Sequence, residues 1–87
     1  MYIILVYDVN TKRCNKMLKL CRKYLHWIQN SVFEGELTEV RLQKLIKEAN
    51  KIMRKEEDSL IIFKNRNRNW LEKQVIGIEK SNIDQLL

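Results

Sequence analysis

The sequence has 87 residues, of which 45% are hydrophobic and 32% are charged. This length and composition are typical of one small globular domain and argue against a disordered chain. Seventeen Lys and Arg residues against 11 Asp and Glu residues give a formal net charge of +6, which suits a phosphate-rich partner. No apolar run approaches the length of about 18 residues that a membrane span needs. We therefore expect one soluble, cytoplasmic domain over residues 1–87, with no membrane partner.

The first predicted element is a strand over residues 2–8. Its sequence, YIILVYD, is apolar with almost no alternation, which is typical of a strand that is buried on both faces. Two helices can cover only one face of a small sheet, and a second copy of the chain is the simplest cover for the other face. The small size of the domain also favours burial against a partner. The strand therefore predicts a homodimer that packs sheet to sheet.

The next segment changes to helical periodicity, and Asn10 or Thr11 can cap the helix. The apolar stripe consists of Cys14, Met17, Leu18, Cys21, Tyr24 and Leu25. Six cations and no acid lie between Lys12 and Lys23, mostly off this stripe, so we expect a basic exposed face. The two cysteines are two helical turns apart, too far for a disulfide, and lack a zinc-site spacing. They are interpreted as core residues of a protein in a reducing compartment.

The rest of the chain predicts three more strands and one helix. Residues 26–34 form a second strand with a polar middle, and Thr38 caps a second helix that runs to about Lys55. Residues 59–63 and 70–78 form the third and fourth strands, and the tail from about 79 to 87 adds an edge strand or docks on a partner. This order, β-α-β-α-β-β, predicts an α+β fold: an antiparallel sheet with two helices on one face. The ferredoxin-like order, β-α-β-β-α-β, differs from it by one strand between the helices.

Several segments together resemble the small CRISPR-associated endonuclease family, the smaller of the two core proteins of the CRISPR adaptation module. These segments are YIILVYDV, the basic first helix, QNSVFEGELT and SLIIF. The ten residues QNSVFEGELT are the most specific, and the resemblance covers about the whole chain. The asparagine-rich turn at residues 65–69 departs from many members of the family.

The resemblance implies a ferredoxin-like fold and a sheet-to-sheet homodimer in which the tail of one subunit extends the sheet of the other. It implies cleavage of phosphodiester bonds in RNA or double-stranded DNA, dependent on Mg²⁺ or alternatively Mn²⁺. It also implies a scaffolding role beside dimers of the larger integrase protein, which inserts foreign DNA into the CRISPR array. The residue that it assigns to catalysis and metal binding is Asp8.

The chemistry of Asp8 leaves two interpretations open. One carboxylate is a poor site for Mg²⁺, which prefers octahedral oxygen coordination. In a two-fold dimer the same residue of each subunit can face across the axis, and two carboxylates could hold one metal that activates water. The alternative is a structural carboxylate that caps the first helix or accepts hydrogen bonds from backbone N–H groups at the strand end.

Two further groups of residues are candidates for nucleic-acid binding. The predicted phosphate contacts are Lys12, Arg13, Lys16, Arg66 and Arg68, which would neutralise backbone charge without reading sequence. Their alternative is a solvated helix face and a solvated turn. Ser31 is a candidate for positioning a phosphate or a water molecule, and its alternative is a polar patch at the dimer interface.

Four functions are consistent with these features. The first is a dimeric metal-dependent nuclease that uses Asp8, and the second is a non-catalytic scaffold that binds nucleic acid. The third is a toxin ribonuclease of the virulence-associated-protein-D type, which shares this small fold. The fourth is a plain ferredoxin-like RNA-binding module, and the absence of an RNP-type aromatic motif in the sequence argues against it.

Overall fold

A computed structural model describes residues 1–67 and 71–81. Its elements are β1 (Tyr2–Asp8), α1 (Thr11–Tyr24), β2 (His26–Gln29), β3 (Val32–Glu36), α2 (Glu39–Ile52) and β4 (Ser59–Asn65). The four strands form one antiparallel sheet in the order β2-β3-β1-β4. This is the ferredoxin-like arrangement, so the predicted fold class is confirmed. The predicted order of elements was wrong, because two strands lie between the helices.

The segment predicted as one strand over residues 26–34 is a hairpin of β2 and β3. Asn30 adopts a positive φ of 46°, a left-handed conformation that asparagine tolerates better than most residues and that reverses the chain. The Trp27 indole N–H donates to the Asn30 carbonyl at 2.9 Å and braces this turn. The polar pair Asn30 and Ser31 is therefore a turn and not the middle of a strand.

The predicted fourth strand is also wrong over its described part, because residues 71–78 form no strand. Near the end of this segment, Gly77 has a φ of 94°, which is not compatible with an extended strand. The last strand of the sheet is instead β4, the segment predicted as the third. Trp70 and residues 82–87, which include most of the tail predicted to pair with a partner, lie outside the described residues.

The hydrophobic core lies between the sheet and the two helices. On β1 the buried residues alternate, because Ile3, Leu5 and Tyr7 point toward the helices. Phe33 of β3 packs beside them, with its ring centroid 6.1 Å from that of Tyr7. The helices contribute the buried residues Met17, Leu20, Cys21, Leu42, Leu45 and Ala49. The helices therefore bury the helix-facing side of β1 and β3, while Leu60 and Ile62 of β4 on the same side are half-buried.

Both helices begin at side-chain caps. The Asn10 side-chain oxygen accepts a hydrogen bond from the Lys12 N–H at 3.0 Å, and Thr38 Oγ1 accepts one from the Arg41 N–H at 3.2 Å.

Both cysteines are free thiols, and burial raises the pKa of Cys21 to about 12, as expected for a core residue. Neither helix in the described part of the chain has the length and apolar character of a membrane span.

The buried position of Phe33 yields a stability prediction. Phe33→Ala should lower the free energy of unfolding by about 3–5 kcal/mol, because the deleted ring leaves a cavity in the core. Urea unfolding followed by circular dichroism measures this loss. Phe33→Leu, which keeps most of the apolar volume, should lose clearly less. Equal losses in the two variants would contradict the packing described here.

Candidate functional site

Asp8 lies at the end of β1 on the side of the sheet that the helices do not cover. It pairs with Ser59 of β4, and it alternates with the buried Tyr7, so it shares a face with Ile4 and Val6. Asp8 is exposed. Within the described residues its carboxylate has no hydrogen-bond or ion-pair partner. The helix cap that was the alternative role for Asp8 is supplied by Asn10, so the part of the chain that the structure describes gives no support to that alternative.

The same side of the sheet carries an apolar surface, which we call the open sheet face. It consists of Tyr2, Ile4 and Val6 of β1, Val32 of β3, and Ile61 and Phe63 of β4. Directly opposite residues share a face, and the register pairs Ile4 with Phe63 and Val6 with Ile61. Ile61 is 51% exposed and Phe63 is 58% exposed. Within one chain, Ile61 and Phe63 therefore remain open to water on the same face as Asp8.

The segment that follows β4 covers part of this face. A cavity of about 340 Å³ lies between residues 71–74 and the β1–β3 half of the open sheet face. Lys73 Nζ donates to Glu34 Oε1 at 2.7 Å and holds the segment there. Burial alone would raise the pKa of Glu34, but hydrogen bonds from Lys73 and Tyr2 outweigh it and leave that pKa below its ordinary value. The β4 half of the face stays exposed.

A buried carboxylate that the sequence did not reveal lies at the same end of the sheet as Asp8. The Asp58 side chain is fully buried and accepts hydrogen bonds from the backbone N–H groups of Asn10 and Arg54, both at 2.9 Å. It also accepts two from the Arg13 guanidinium, at 2.6 Å from Nε and 3.0 Å from Nη2. Arg13 Nη2 reaches Glu57 as well, at 2.6 Å. We call Asp58, Arg13 and Glu57 the Asp58 cluster.

The hydrogen bonds within the Asp58 cluster favour the charged forms of both Asp58 and Arg13. The hydrogen bonds from Arg13 hold the pKa of Asp58 far below its ordinary value, and those from the Arg54 and Asn10 N–H groups lower it further against the effect of burial. The bonds to Asp58 and then Glu57 raise the pKa of Arg13 in turn. Because the folded pKa of Asp58 lies below the unfolded one, its ionisation stabilises the fold above about pH 4. That stabilisation is lost as the pH falls toward the folded value.

The structure gives Arg13 a different position from the one expected of a phosphate contact. Its side chain is only 14% exposed, and its Nε and Nη2 groups are engaged by carboxylates. The sequence placed Arg13 with its basic neighbours because the acids that bind it are about 45 positions away. The acidic residues Glu56, Glu57 and Asp58 stand together before β4, but no pattern in the sequence pairs them with α1.

The other predicted phosphate contacts lie at opposite ends of the sheet. Lys12 and Lys16 are exposed on α1, which begins shortly after Asp8. Arg66 is exposed just after β4, whose end pairs with Tyr2 at the far end of β1. A strand of seven residues spans about 20 Å, so one phosphate cannot touch both groups. Arg68 lies outside the described residues.

Ser31 lies in the turn between β2 and β3, near the end of β1. Its carbonyl accepts a hydrogen bond from the Tyr7 N–H at 3.2 Å, which places Ser31 opposite Tyr7 and one position from Asp8. Its role in positioning a phosphate or water stays a prediction. Within the ranges 1–67 and 71–81, no three His, Cys, Asp or Glu side chains converge on a point that could hold a metal ion. One chain thus offers Asp8 as a single carboxylate ligand.

An open ferredoxin-like sheet with one exposed carboxylate at its end is a class of fold and site that many proteins share. The sequence comparison narrows it, because the family described as CRISPR associated protein Cas2 matches residues 1–73. A relative from Dictyoglomus turgidum, named CRISPR-associated endoribonuclease Cas2, is 51% identical over the full length of both chains. A relative of the same name from Fusobacterium nucleatum is 45% identical and covers all of this chain and 87% of its own. This chain belongs to the Cas2 family.

The structural comparison agrees with this assignment. A solved structure titled "Crystal structure of cas2" superimposes with a TM-score of 0.85 at 44% identity, covering 93% of this chain and 91% of the other. The predicted family is therefore confirmed. The names of the relatives support the prediction of a nuclease, and they favour the CRISPR interpretation over the toxin ribonuclease.

Two variants separate the contribution of the buried Arg13–Asp58 pair from that of the more exposed Arg13–Glu57 pair. Arg13→Ala should lower the melting temperature by roughly 10 °C, because it leaves the buried Asp58 carboxylate without its charge partner. Glu57→Ala removes only the partner that is 47% exposed and should change it by a few degrees at most. Differential scanning calorimetry measures both. Equal shifts would mean that the buried bond carries no special weight.

Proposed function

We propose that this protein is a homodimeric, metal-dependent phosphodiesterase that cleaves RNA or DNA. The observation that carries the proposal is the exposed Asp8 carboxylate at the end of the open sheet face. The names of the relatives, which are endoribonucleases, support the reaction class. We further propose that it acts in the cytoplasm, in CRISPR adaptation, where the dimer binds DNA beside dimers of the larger integrase protein.

The exposed apolar residues support the dimer. Ile61 and Phe63 lie next to each other on one face of an edge strand, where water contact with large side chains is unfavourable. A second copy of the same face is a self-complementary cover under two-fold symmetry. This packing puts Asp8 of each subunit on the same interface, because Asp8 shares the face with Ile4 and Val6.

The donor chemistry fits Mg²⁺ or Mn²⁺. Both metals prefer oxygen ligands, and Asp8 offers carboxylate oxygens that no described side chain uses. Two subunits supply two such carboxylates, which is the number that Mg²⁺ sites in proteins often use. A metal held there would supply an activated water and offset charge on the scissile phosphate.

The exposed cations of the chain act on the substrate backbone. Lys12 and Lys16 lie near the Asp8 end and can neutralise phosphates that flank the scissile bond. Arg66 lies at the far end of the sheet and would contact the same strand many ångströms away. Such contacts position a backbone without reading its bases, which suits a substrate of variable sequence. Arg13 is not part of this set, since Asp58 and Glu57 hold its guanidinium.

Asp8→Asn tests the catalytic part of the proposal. The variant should lose cleavage of RNA and duplex DNA by at least about 100-fold and lose its Mg²⁺ binding, because an amide is a weaker ligand than a carboxylate. Calorimetric titration of Mg²⁺ and gel assays of cleavage measure the two effects. Glu56→Gln removes the same charge from an exposed position in the turn before β4 and is the matched control.

Cleavage and Mg²⁺ binding that are equal in Asp8→Asn and wild type would remove Asp8 from the site. Retained integration of DNA fragments by Asp8→Ala together with the integrase partner would show that the scaffold role does not need cleavage. Loss of integration in that variant would show that the scaffold role depends on Asp8.

Phe63→Lys tests the dimer. A charge in the centre of the open sheet face should raise the dimer dissociation constant by at least about tenfold, because it must be buried unpaired. Sedimentation velocity over a range of protein concentrations measures the change. Val40→Lys is the control, since Val40 is 66% exposed but lies on α2, away from the sheet. Dissociation by Val40→Lys and not by Phe63→Lys would place the interface on the helices.

A further inference from the structure

The helical side of the molecule has a groove between α1 and α2, opposite the open sheet face. Its volume is about 390 Å³. Four lysines surround it, and we call it the lysine groove: Lys16, Lys19 and Lys23 of α1 and Lys51 of α2. Its apolar residues are the buried Leu20 and the half-buried Ile52. The groove therefore combines an apolar floor with a strongly positive rim.

Lysines outnumber acids four to one in the lining of this groove. Among residues 1–67 and 71–81, no carboxylate forms an ion pair with any of the four lysines. The one acid in the lining, Glu48, accepts a hydrogen bond from the Tyr24 hydroxyl at 2.8 Å. The guanidinium carbon of Arg41 stacks 4.9 Å from the centre of the same Tyr24 ring. The Glu48 carboxylate is thus already engaged by a hydroxyl group, and Arg41 contacts the ring that carries that hydroxyl.

The spacing of the lysines has a cost for α1. Lys16, Lys19 and Lys23 stand three and four positions apart, so they are neighbours on the helix surface and repel one another. No acid lies between Lys12 and Lys23 to relieve this repulsion. A negatively charged ligand along the groove would remove the repulsion and gain three or four charge pairs.

The lining favours a helix of a protein partner over a nucleic acid. The bases of a single strand bind through aromatic stacking, and none of the lining residues is aromatic. An apolar floor would contribute nothing to a phosphate backbone, but it suits the apolar stripe of an amphipathic helix. Acidic residues at helical spacing also match the lysines in register, because both helices rise about 1.5 Å per residue. We propose that the lysine groove is a docking site for an acidic amphipathic helix of a partner protein.

The groove lies apart from Asp8, and Lys16 on its rim is the one residue that it shares with the proposed phosphate contacts. It lies on the two helices, whereas Asp8 and the open sheet face lie on the other side of the sheet. A dimer that has buried both of its sheet faces would still present two lysine grooves on its outside. A partner helix paired with Lys19, Lys23 and Lys51 would leave Asp8 open to the substrate.

A designed peptide tests the proposal directly. The probe is a fluorescein-labelled helix of about four turns with leucine at one face and glutamate on both flanks, added to the full chain. Fluorescence anisotropy should show saturable binding. A scrambled peptide of the same composition has no apolar face and should bind on the order of tenfold more weakly.

Paired charge reversals separate the groove from net charge. Lys19→Glu with Lys23→Glu should weaken peptide binding by at least about tenfold, because attraction becomes repulsion at two groove positions. Lys44→Glu with Lys47→Glu changes the net charge equally on the exposed side of α2, outside the lysine groove, and should change the affinity by less than about threefold.

Three results would overturn the proposal. One is the absence of saturable binding, and another is equal binding of the designed and scrambled peptides or equal weakening by both pairs of reversals. The third is that a labelled RNA or DNA strand, and not the peptide, loses binding selectively in Lys19→Glu with Lys23→Glu. That result would make the groove a nucleic-acid surface.

Discussion

One buried carboxylate holds together the end of the molecule where the candidate site lies. Asp58 accepts hydrogen bonds from the start of α1, through Asn10 and Arg13, and from the chain just after α2, through Arg54. The next residue, Ser59, pairs with Asp8. A buried charge is costly unless every lone pair finds a donor, and here four donors converge on it. Asp58 therefore fixes the start of α1 and the start of β4, which are the two segments next to the exposed Asp8.

The two sides of the sheet have different chemistry, and each side has its own proposed function. The helix-facing side carries the core, and the helices above it carry the four groove lysines, which form no ion pair with a carboxylate of residues 1–67 and 71–81. The open side carries apolar residues and ends at the one exposed carboxylate of β1. Self-association removes apolar surface from water, whereas lysines keep their hydration and remain available to a charged ligand. The chain can thus use one face to build its own assembly and the other to contact something acidic.

Local patterns in the sequence were sufficient for most of the fold. The apolar run of β1, the stripe and cap of α1, and Thr38 at the start of α2 all predicted elements that the structure contains. The turn at Asn30 was missed because strand-forming residues surround it on both sides, and its left-handed φ follows from tertiary context. Residues 71–78 have strand composition, but they pair with no strand of the sheet. The position of Asp8 at a strand end was predictable. The engagement of Arg13 by Asp58 was not, since it depends on which distant segments the fold brings together.

The ion pair between Asp58 and Arg13 has a free energy that changes with temperature. The free energy that charged groups gain from hydration becomes less favourable as temperature rises, so the cost of keeping Asp58 and Arg13 out of water falls. The gain from burying apolar groups such as Phe33 levels off over the same range. The end of the molecule that carries Asp8 is therefore held by an ionic contact whose desolvation cost falls on heating.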